Sequence, residues 1–250
     1  EDQPGIRVET NLFYLPTNEN NLVYKAAKLL MDEFSISDGV SIRLRKFIPV
    51  SAGMAGGSSD AAAVLFGINK MFHLNLTTQQ LMERGVKIGA DVPYCILRGT
   101  ALSEGIGEIL TPLPPVPQCQ VLIAKPGINV STRSVYTNLY ANRLRPEQHP
   151  NIDGILHGIR SQDIHQIANN LGNVLETVTI RDFPVIQTIK DKMLEFGAIG
   201  SLMSGSGPTV FGLFTNPDLA ERAFEALRSG SDSHLARQVY LTNFYNTKNA

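Results

Sequence analysis

Residues 49–62, PVSAGMAGGSSDAA, join a predicted strand to a predicted helix through a loop of glycine and serine, and they decide how the fold is interpreted. The three glycines of this loop lack a Cβ, so the backbone can come close to a ligand. Unpaired amides and the positive end of the helix dipole at the helix start suit phosphate oxygens, and the two serines add hydroxyl groups. We therefore predict that residues 53–59 bind the phosphates of a nucleoside triphosphate.

A plain turn followed by a helix cap is the alternative interpretation of this loop. No GKS or GKT follows the glycines, so the loop is not a P-loop of the Walker type. Its glycines are not spaced GxGxxG, and no acidic residue ends a following strand about 20 residues on, which argues against a dinucleotide-binding oxidoreductase. Three glycines, two serines and an alanine-rich helix start directly after a strand favour the phosphate site.

Hydrophobic patterns predict the elements on both sides of the loop. Apolar and polar residues alternate from Val40 to Ile48, which predicts a strand that Pro49 ends. Helical spacing of apolar residues predicts a helix over residues 59–72, with Ser59 or Asp60 near its start.

Similar patterns further along predict an α+β chain of two domains. Residues 112–117, PLPPVP, form a natural linker between domains at 1–115 and 116–250. The patterns predict a helix over residues 78–88 that starts at a Thr77–Gln80 capping box and ends at Gly89, a hairpin over 100–113, strands over 120–127 and 209–214, and helices over 152–177, 184–196 and 217–228.

Composition narrows the classes of function. The chain has 250 residues, with 22 basic and 23 acidic side chains and a net charge of -1, so it has no surplus positive charge for a nucleic-acid partner. No apolar run approaches the ~18 residues that span a bilayer, so we expect no membrane association. The two cysteines, Cys95 and Cys119, are too few for a disulfide framework and suggest a reducing, cytoplasmic location.

The loop resembles the phosphate-binding motif of the GHMP kinases, usually written P-x3-G-L-x-S-S-A, with Met54 in place of leucine. SGSGPTVF at residues 204–211 is similar to the family's C-terminal glycine-rich motif. NNL at 20–22, GADVPYC at 89–95 and KPGINVSTRSVY at 125–136 resemble the branch of the family whose acceptor is an alcohol carrying cytidine diphosphate. The likeness covers nearly the whole chain.

The resemblance implies a specific α+β fold and a set of partners. It implies an ATP-binding domain of the ribosomal S5 domain 2-like type and a ferredoxin-like substrate domain. It also implies phosphorylation of a small alcohol by ATP, with Mg²⁺ carried on the nucleotide. No nucleic acid or membrane is expected as a partner, and a monomer or a homodimer fits equally.

The resemblance also assigns residues. Asp91 is implied as the catalytic carboxylate that takes the proton of the attacking hydroxyl, whereas its position two residues before Pro93 by itself favours a helix cap. The implied ATP-side residues are Pro49, Gly53, Met54, Ala55, Gly56, Gly57, Ser58 and Ser59, with Asn21 and Lys46 facing the adenine, and the substrate-side residues are Thr132, Tyr136, Gly205, Ser206 and Gly207.

These assignments have ordinary alternatives. By themselves, Asn21 would be a turn residue, Lys46 a solvated strand lysine and Tyr136 a core residue with a wet hydroxyl. His157 and His165 are eight residues apart on a predicted helix, but they have no carboxylate or cysteine at ligand spacing, so we predict no metal site.

The sequence departs from the family pattern at its beginning. The family opens with a strand that carries a lysine and an asparagine, followed by a GYH-containing segment, and no counterpart precedes Glu1. We expect this segment to exist in the complete protein. Another GHMP kinase, acting on mevalonate, homoserine or a sugar, and a nucleotide-binding module without catalysis remain the competing hypotheses.

Overall fold

The structure is a computed structural model that describes residues 5–246. The chain groups into two compact units. The first unit holds the residues up to Val50 together with Ala55–Leu113, and the second holds Ser51–Met54 and the residues from Pro114 onward. The glycine-rich loop is therefore divided, with Gly53 and Met54 in the second unit and its remaining residues in the first.

The strands of the first unit form two small sheets. Strands β1 (Ile6–Thr10) and β2 (Val40–Leu44) pair in parallel, while β3 (Ala101–Glu104) and β4 (Ile109–Pro112) pair antiparallel. The predicted hairpin is thus confirmed. The predicted extension of β2 to Ile48 is wrong, because the side chain of Asn11 binds both backbone groups of Lys46 and takes them out of any ladder.

Four helices complete the first unit: α1 (Leu22–Glu33), α2 (Gly56–Met71), α3 (Thr78–Gly85) and α4 (Val92–Leu97). The Thr77–Gln80 capping box is confirmed, although α3 ends at Gly85 and not near residue 88. Helix α2 begins three residues before the predicted start, so neither Ser59 nor Asp60 caps it. Buried leucines from three of these helices, Leu30, Leu65 and Leu81, join the core of the unit.

The second unit contains an antiparallel four-stranded sheet in the order β6-β7-β5-β8. Its strands are β5 (Gln120–Lys125), β6 (Gly200–Met203), β7 (Val210–Phe214) and β8 (Gln238–Asn243). The patterns that predicted β5 and β7 are confirmed, because both strands are largely buried. Strands β6 and β8 lie at the edges of the sheet; β6 is short and β8 is half exposed, so neither produced a recognisable pattern.

The described part of the second unit also contains six α-helices and two short 3₁₀ helices. In chain order they are α5 (Thr132–Asn138), the 3₁₀ helices Ala141–Arg143 and Pro146–Gln148, α6 (Ile152–Ser161), α7 (Ile164–Asn169), α8 (Glu176–Asp182), α9 (Val185–Glu195) and α10 (Pro217–Arg228). The helices predicted over 184–196 and 217–228 are confirmed. The single helix predicted over 152–177 is wrong: Gln162 is left-handed, with a φ of 57°, and the Asp163 side chain caps a new helix. His157 and His165 consequently lie on different helices.

Within residues 5–246, the helices are all too short or too polar to cross a bilayer.

Candidate functional site

The start of α2 offers free backbone donors in the first unit. Ala55 precedes the helix in a left-handed conformation, with φ 47° and ψ 25°, and no side chain among the described residues caps it. The first intrahelical bond in this turn runs from the Ser59 amide to the Ala55 carbonyl at 2.9 Å. The amides of residues 56–58 precede that bond and have no partner within the helix, so they can donate to phosphate oxygens.

A buried lysine lies against this helix start. The Lys46 ammonium is 2.5 Å from an Asp60 carboxylate oxygen, and 6% of the lysine side chain is exposed. A Cβ on Gly56 would come within 2.7 Å of the Ile48 Cγ2 and 2.9 Å of the Lys46 Nζ, so a larger residue there would force these two side chains to shift. A cation at the positive end of a helix is unfavourable without anions, and Asp60 supplies one of them.

Asn11 fixes the backbone of that lysine. The Lys46 amide donates to the Asn11 Oδ1 at 2.8 Å, and the Asn11 Nδ2 donates to the Lys46 carbonyl at 3.2 Å. These contacts put the Lys46 ammonium beside the first turn of α2. The adenine-side role of Lys46 stays a prediction, as does that of Pro49, which lies outside any helix or strand.

Asp91 occupies the N-cap position of α4 but does not act as a cap. Its side chain accepts no capping hydrogen bond, and the residue is exposed. One turn later, the Cys95 Sγ lies 4.0 Å from the Ala55 carbonyl, at the start of α2. Burial raises the pKa of the Cys95 thiol to about 11, and the charges of Asp91 and Asp60 add to the increase. Asp91 and the start of α2 are therefore both neighbours of Cys95.

Asn21 is a helix cap in the structure. Its Oδ1 accepts from the Val23 amide at 3.1 Å, and its Nδ2 donates to the Pro16 carbonyl at 2.7 Å. These bonds fix the loop before α1. The side chain is thus occupied by local contacts, and its predicted contact with adenine remains a prediction.

In the second unit, Gly53 lies against the loop of residues 204–209. The Ser204 hydroxyl donates to the Gly53 carbonyl at 2.7 Å. Gly53 has a φ of +71°, and a Cβ there would collide with the Ser204 carbonyl oxygen and lie 3.0 Å from that of Gly207. The two glycine-rich motifs singled out in the sequence therefore meet at Gly53, and glycine is required by both conformation and space.

Thr132 and Tyr136, which the sequence predicts on the substrate side, both lie on α5. The Thr132 Oγ1 lies 2.8 Å from the Ser206 Oγ, so α5 and the loop of residues 204–209 are joined by a hydroxyl pair. Tyr136 follows one helical turn after Thr132, on the same face of α5, and its side chain is 60% exposed. Tyr136 is therefore not a core residue, and its ring is available to a ligand.

Several residues of these sites were missed in the sequence: Asn11 and Asp60 in the first unit, and Asn173, Glu176 and Thr179 in the second. Asp60 lies one turn into α2, close to the loop that the sequence singles out. The other contacts join residues far apart in sequence, for which hydrophobic periodicity gives no indication.

In the part of the chain that the structure describes, no cluster of three or more His, Cys, Asp or Glu side chains could hold a metal ion.

Two segments of the chain, one in each half, match family models. Residues 21–99 match the model described as GHMP kinases N terminal domain, and residues 155–232 match the model described as GHMP kinases C terminal.

Similar curated proteins cover almost the whole chain. A protein of Lachnoclostridium phytofermentans named 4-diphosphocytidyl-2-C-methyl-D-erythritol kinase is 57% identical over 98% of this chain and 83% of its own length. A protein of the same name from Lachnospira eligens is 53% identical over 96% of this chain and 82% of its own length.

Solved structures agree in fold. The crystal structure of a 4-(cytidine 5'-diphospho)-2C-methyl-D-erythritol kinase superposes with a TM-score of 0.78 and 32% identity, covering 98% of this chain and 85% of that one. Homoserine kinase from Cytophaga hutchinsonii superposes with a TM-score of 0.83 at 23% identity, covering 98% and 84%, which shows the fold alone. The predicted resemblance and the α+β fold class are confirmed, and the chain belongs to the GHMP kinases.

Proposed function

We propose that this kinase transfers the γ-phosphate of ATP to the 2-hydroxyl of 4-diphosphocytidyl-2-C-methyl-D-erythritol, a step of the non-mevalonate route to isoprenoids. Relatives that carry the name of this activity are 57% and 53% identical over nearly the whole chain. Both cysteines are free, as is usual in a reducing compartment, and we infer that this kinase works in the cytoplasm.

One observation in the first unit carries the proposal. The uncapped start of α2 and the exposed carboxylate of Asp91 are both neighbours of Cys95. Phosphoryl transfer needs donors that hold the transferred phosphate and a carboxylate that directs the attacking hydroxyl. The first unit contains both groups, and each of them lies close to Cys95.

The residues at the start of α2 and Asp91 have separate parts in the phosphoryl transfer. The amides of residues 56–58 hold phosphate oxygens, while Lys46, whose charge Asp60 balances, keeps its predicted place on the adenine side. Asp91 accepts the proton of the acceptor hydroxyl as its oxygen bonds to the γ-phosphorus, while the bond to the bridging oxygen of ADP breaks. Mg²⁺ bound to ATP would neutralise charge on the phosphates, and the hydroxyls of Ser58 and Ser59, near the start of α2, would be available to it.

The second unit supplies the acceptor-side groups. The exposed ring of Tyr136 is suited to stacking on cytosine, an interaction that contributes ~1–3 kcal/mol per base in comparable cases. Thr132 and Ser206 present paired hydroxyls one helical turn away from that ring. Gly205 and Gly207 both have positive φ values, 56° and 84°, and their lack of a side chain supports a close approach of the acceptor to the backbone of this loop.

The experiment is a direct assay of the full-length protein with ATP, Mg²⁺ and one alcohol at a time. ADP release with the cytidyl acceptor and not with homoserine or mevalonate is the expected result. Homoserine is the sharpest control, because the homoserine kinase fold resembles this one closely. Absence of ADP with the cytidyl acceptor, alongside turnover of another alcohol, would assign the protein to a different acceptor within the family.

A further inference from the structure

The loop of residues 204–209 follows β6, which is an edge strand of the second unit's sheet. The Ser204 amide donates to the Thr209 carbonyl at 2.8 Å, so this pair is hydrogen-bonded across β6 and β7. Because hydrogen bonding alternates along an antiparallel pair, the amide and carbonyl of the preceding Met203 point to the open edge. Those two groups need partners from outside the sheet.

Side chains just before and within α8 provide these partners. The Met203 amide donates to the Glu176 Oε1 at 2.8 Å, and the Asn173 Nδ2 donates to the Met203 carbonyl at 2.9 Å. The same Asn173 Nδ2 donates to the Gly205 carbonyl at 2.8 Å. The Asn173 Oδ1 accepts from the Leu175 amide at 3.0 Å, which fixes the orientation of the amide. At the point where the loop begins, the side chains of Asn173 and Glu176 thus bind the backbone groups that a neighbouring strand would otherwise bind.

Two further contacts complete the support. The Thr179 hydroxyl, one helical turn after Glu176, donates to the Ser206 carbonyl at 3.3 Å, and Thr179 is 1% exposed. The Glu176 Oε2 pairs with the Lys190 ammonium of α9 at 2.6 Å, and 15% and 13% of these two side chains are exposed. Lys190 therefore holds the Glu176 carboxylate in place and balances its charge.

We propose that Asn173, Glu176 and Thr179 are positioning residues for the acceptor side of the phosphoryl transfer. They hold the loop of residues 204–209 so that the Ser206 hydroxyl meets that of Thr132, without themselves touching the substrate. This role rests on the proposed function of the chain. It gives a loop that contains glycines with positive φ the support that a further strand would otherwise provide at this edge of the sheet.

The test uses Thr179→Val in the full-length protein, because valine keeps the shape and removes only the hydroxyl. Thr177→Val is the matched control: it lies on the same helix, is exposed, and its hydroxyl donates only to the local Val174 carbonyl. Thr179→Ser restores the hydroxyl. Steady-state KM and kcat for both substrates, thermal unfolding, and hydrogen exchange of the Ser204 and Gly207 amides in the unliganded protein are measured for each.

Thr179→Val is expected to raise the KM for the cytidyl acceptor about tenfold with the KM for ATP unchanged, and to speed exchange of the loop amides about fivefold, as the loss of one buried hydrogen bond allows. Thr179→Ser should recover most of both effects, and Thr177→Val should match the wild type. An equal rise in both KM values, or unchanged exchange of the loop amides, would overturn the proposal.

Two outcomes need a separate measurement. If Thr179→Val does not unfold cooperatively, Asn173→Asp decides by the same criteria, since aspartate still accepts from the Leu175 amide but cannot donate to the Met203 and Gly205 carbonyls. If the wild type releases no ADP with the cytidyl acceptor, the proposed function fails. In that case, the difference between Thr179→Val and Thr177→Val in the hydrogen-exchange rate of the loop amides still decides whether these side chains hold the loop.

Discussion

Among single residues, Asp91 is the one whose substitution we expect to affect activity most directly. It sits at an N-cap position without capping, so its carboxylate does not contribute to the stability of α4 in the usual way. Asp91→Asn is expected to lower kcat by ~10²–10⁴-fold, because the amide cannot accept the hydroxyl proton. The measurement is steady-state turnover of the full-length protein with ATP and the cytidyl acceptor.

Unfolding experiments separate this loss from damage to the fold. The midpoint of urea unfolding of Asp91→Asn should equal that of the wild type. Asp38→Asn, at an exposed carboxylate before β2 in the same unit, should retain full turnover. Turnover of Asp91→Asn close to that of the wild type would remove Asp91 from the mechanism.

Cys95 provides a second test at the scale of one residue. Burial, and then the charges of Asp91 and Asp60, raise the pKa of its thiol to about 11 from 9.0. A raised thiol pKa means that the neutral form dominates at pH 8, and the reactive thiolate forms only as the pH approaches 11. Alkylation of Cys95 at pH 8 should therefore be about a hundredfold slower than that of an unperturbed thiol.

Peptide mass spectrometry after timed treatment with iodoacetamide checks this rate. The same protein in concentrated urea is the control, and there the Cys95 peptide should react at the rate of a free thiol. Rapid alkylation of the folded protein at pH 8 would contradict the half-buried position of Cys95 beside the Ala55 carbonyl.

At the scale of elements, the turn into α2 contains two positions with a left-handed backbone, and glycine occupies only one of them. Ala55 has a φ of 47°, a conformation that glycine adopts at lower cost, so Ala55→Gly should stabilise the protein by roughly 0.5–1 kcal/mol. Gly53 has a φ of +71°, and a Cβ there would collide with the Ser204 carbonyl, so Gly53→Ala should destabilise it by roughly 2 kcal/mol.

Urea unfolding of the two full-length variants measures both free energies. Gly67→Ala is a suitable control, because it lies in the interior of α2 and a Cβ there meets no atom within 4 Å. It should stabilise the helix by a fraction of ~1 kcal/mol through propensity alone. A stabilising effect of Gly53→Ala would show that the loop does not have the conformation described.

The same elements show what sequence reasoning can reach. The Thr77–Gln80 capping box was predictable because its two hydrogen bonds lie within four residues of each other. The end of β2 was not, because it depends on Asn11, 35 residues away from Lys46. The support of the second glycine loop depends on Glu176, which lies 27 residues before Met203. Local periodicity and capping rules carry no information about such distant pairs.

Across the whole molecule, we expect the fold and the choice of acceptor to depend on different residues. The GHMP fold is shared by kinases with different acceptors, so the fold by itself does not choose among alcohols. The α2 turn and Asp91 in the first unit provide groups that any phosphoryl transfer needs. Groups such as Tyr136 and Thr132 in the second unit are where we expect the choice of acceptor to be made.

The division of the chain into two units leads to a final prediction about folding. All four strands of the second sheet lie between Gln120 and Asn243, and its core residues Leu122, Ile186 and Phe214 are fully buried within the same unit. A fragment that starts at Pro114 and runs to the end of the chain lacks only residues 51–54 of this unit. It loses the bond from Ser204 to Gly53 but keeps its entire sheet and core.

We therefore expect this fragment to fold by itself, with a single cooperative transition in urea followed by far-ultraviolet circular dichroism. Leu122→Asp in the fragment is the control, because an unpaired charge in the core should abolish the transition. Adding back residues 51–54 through a short linker at the N-terminus should raise the unfolding midpoint if the Ser204 bond to Gly53 stabilises the unit. A fragment without any cooperative transition would show that the second unit is not an independent domain and that the boundary near residue 115 does not separate two folding units.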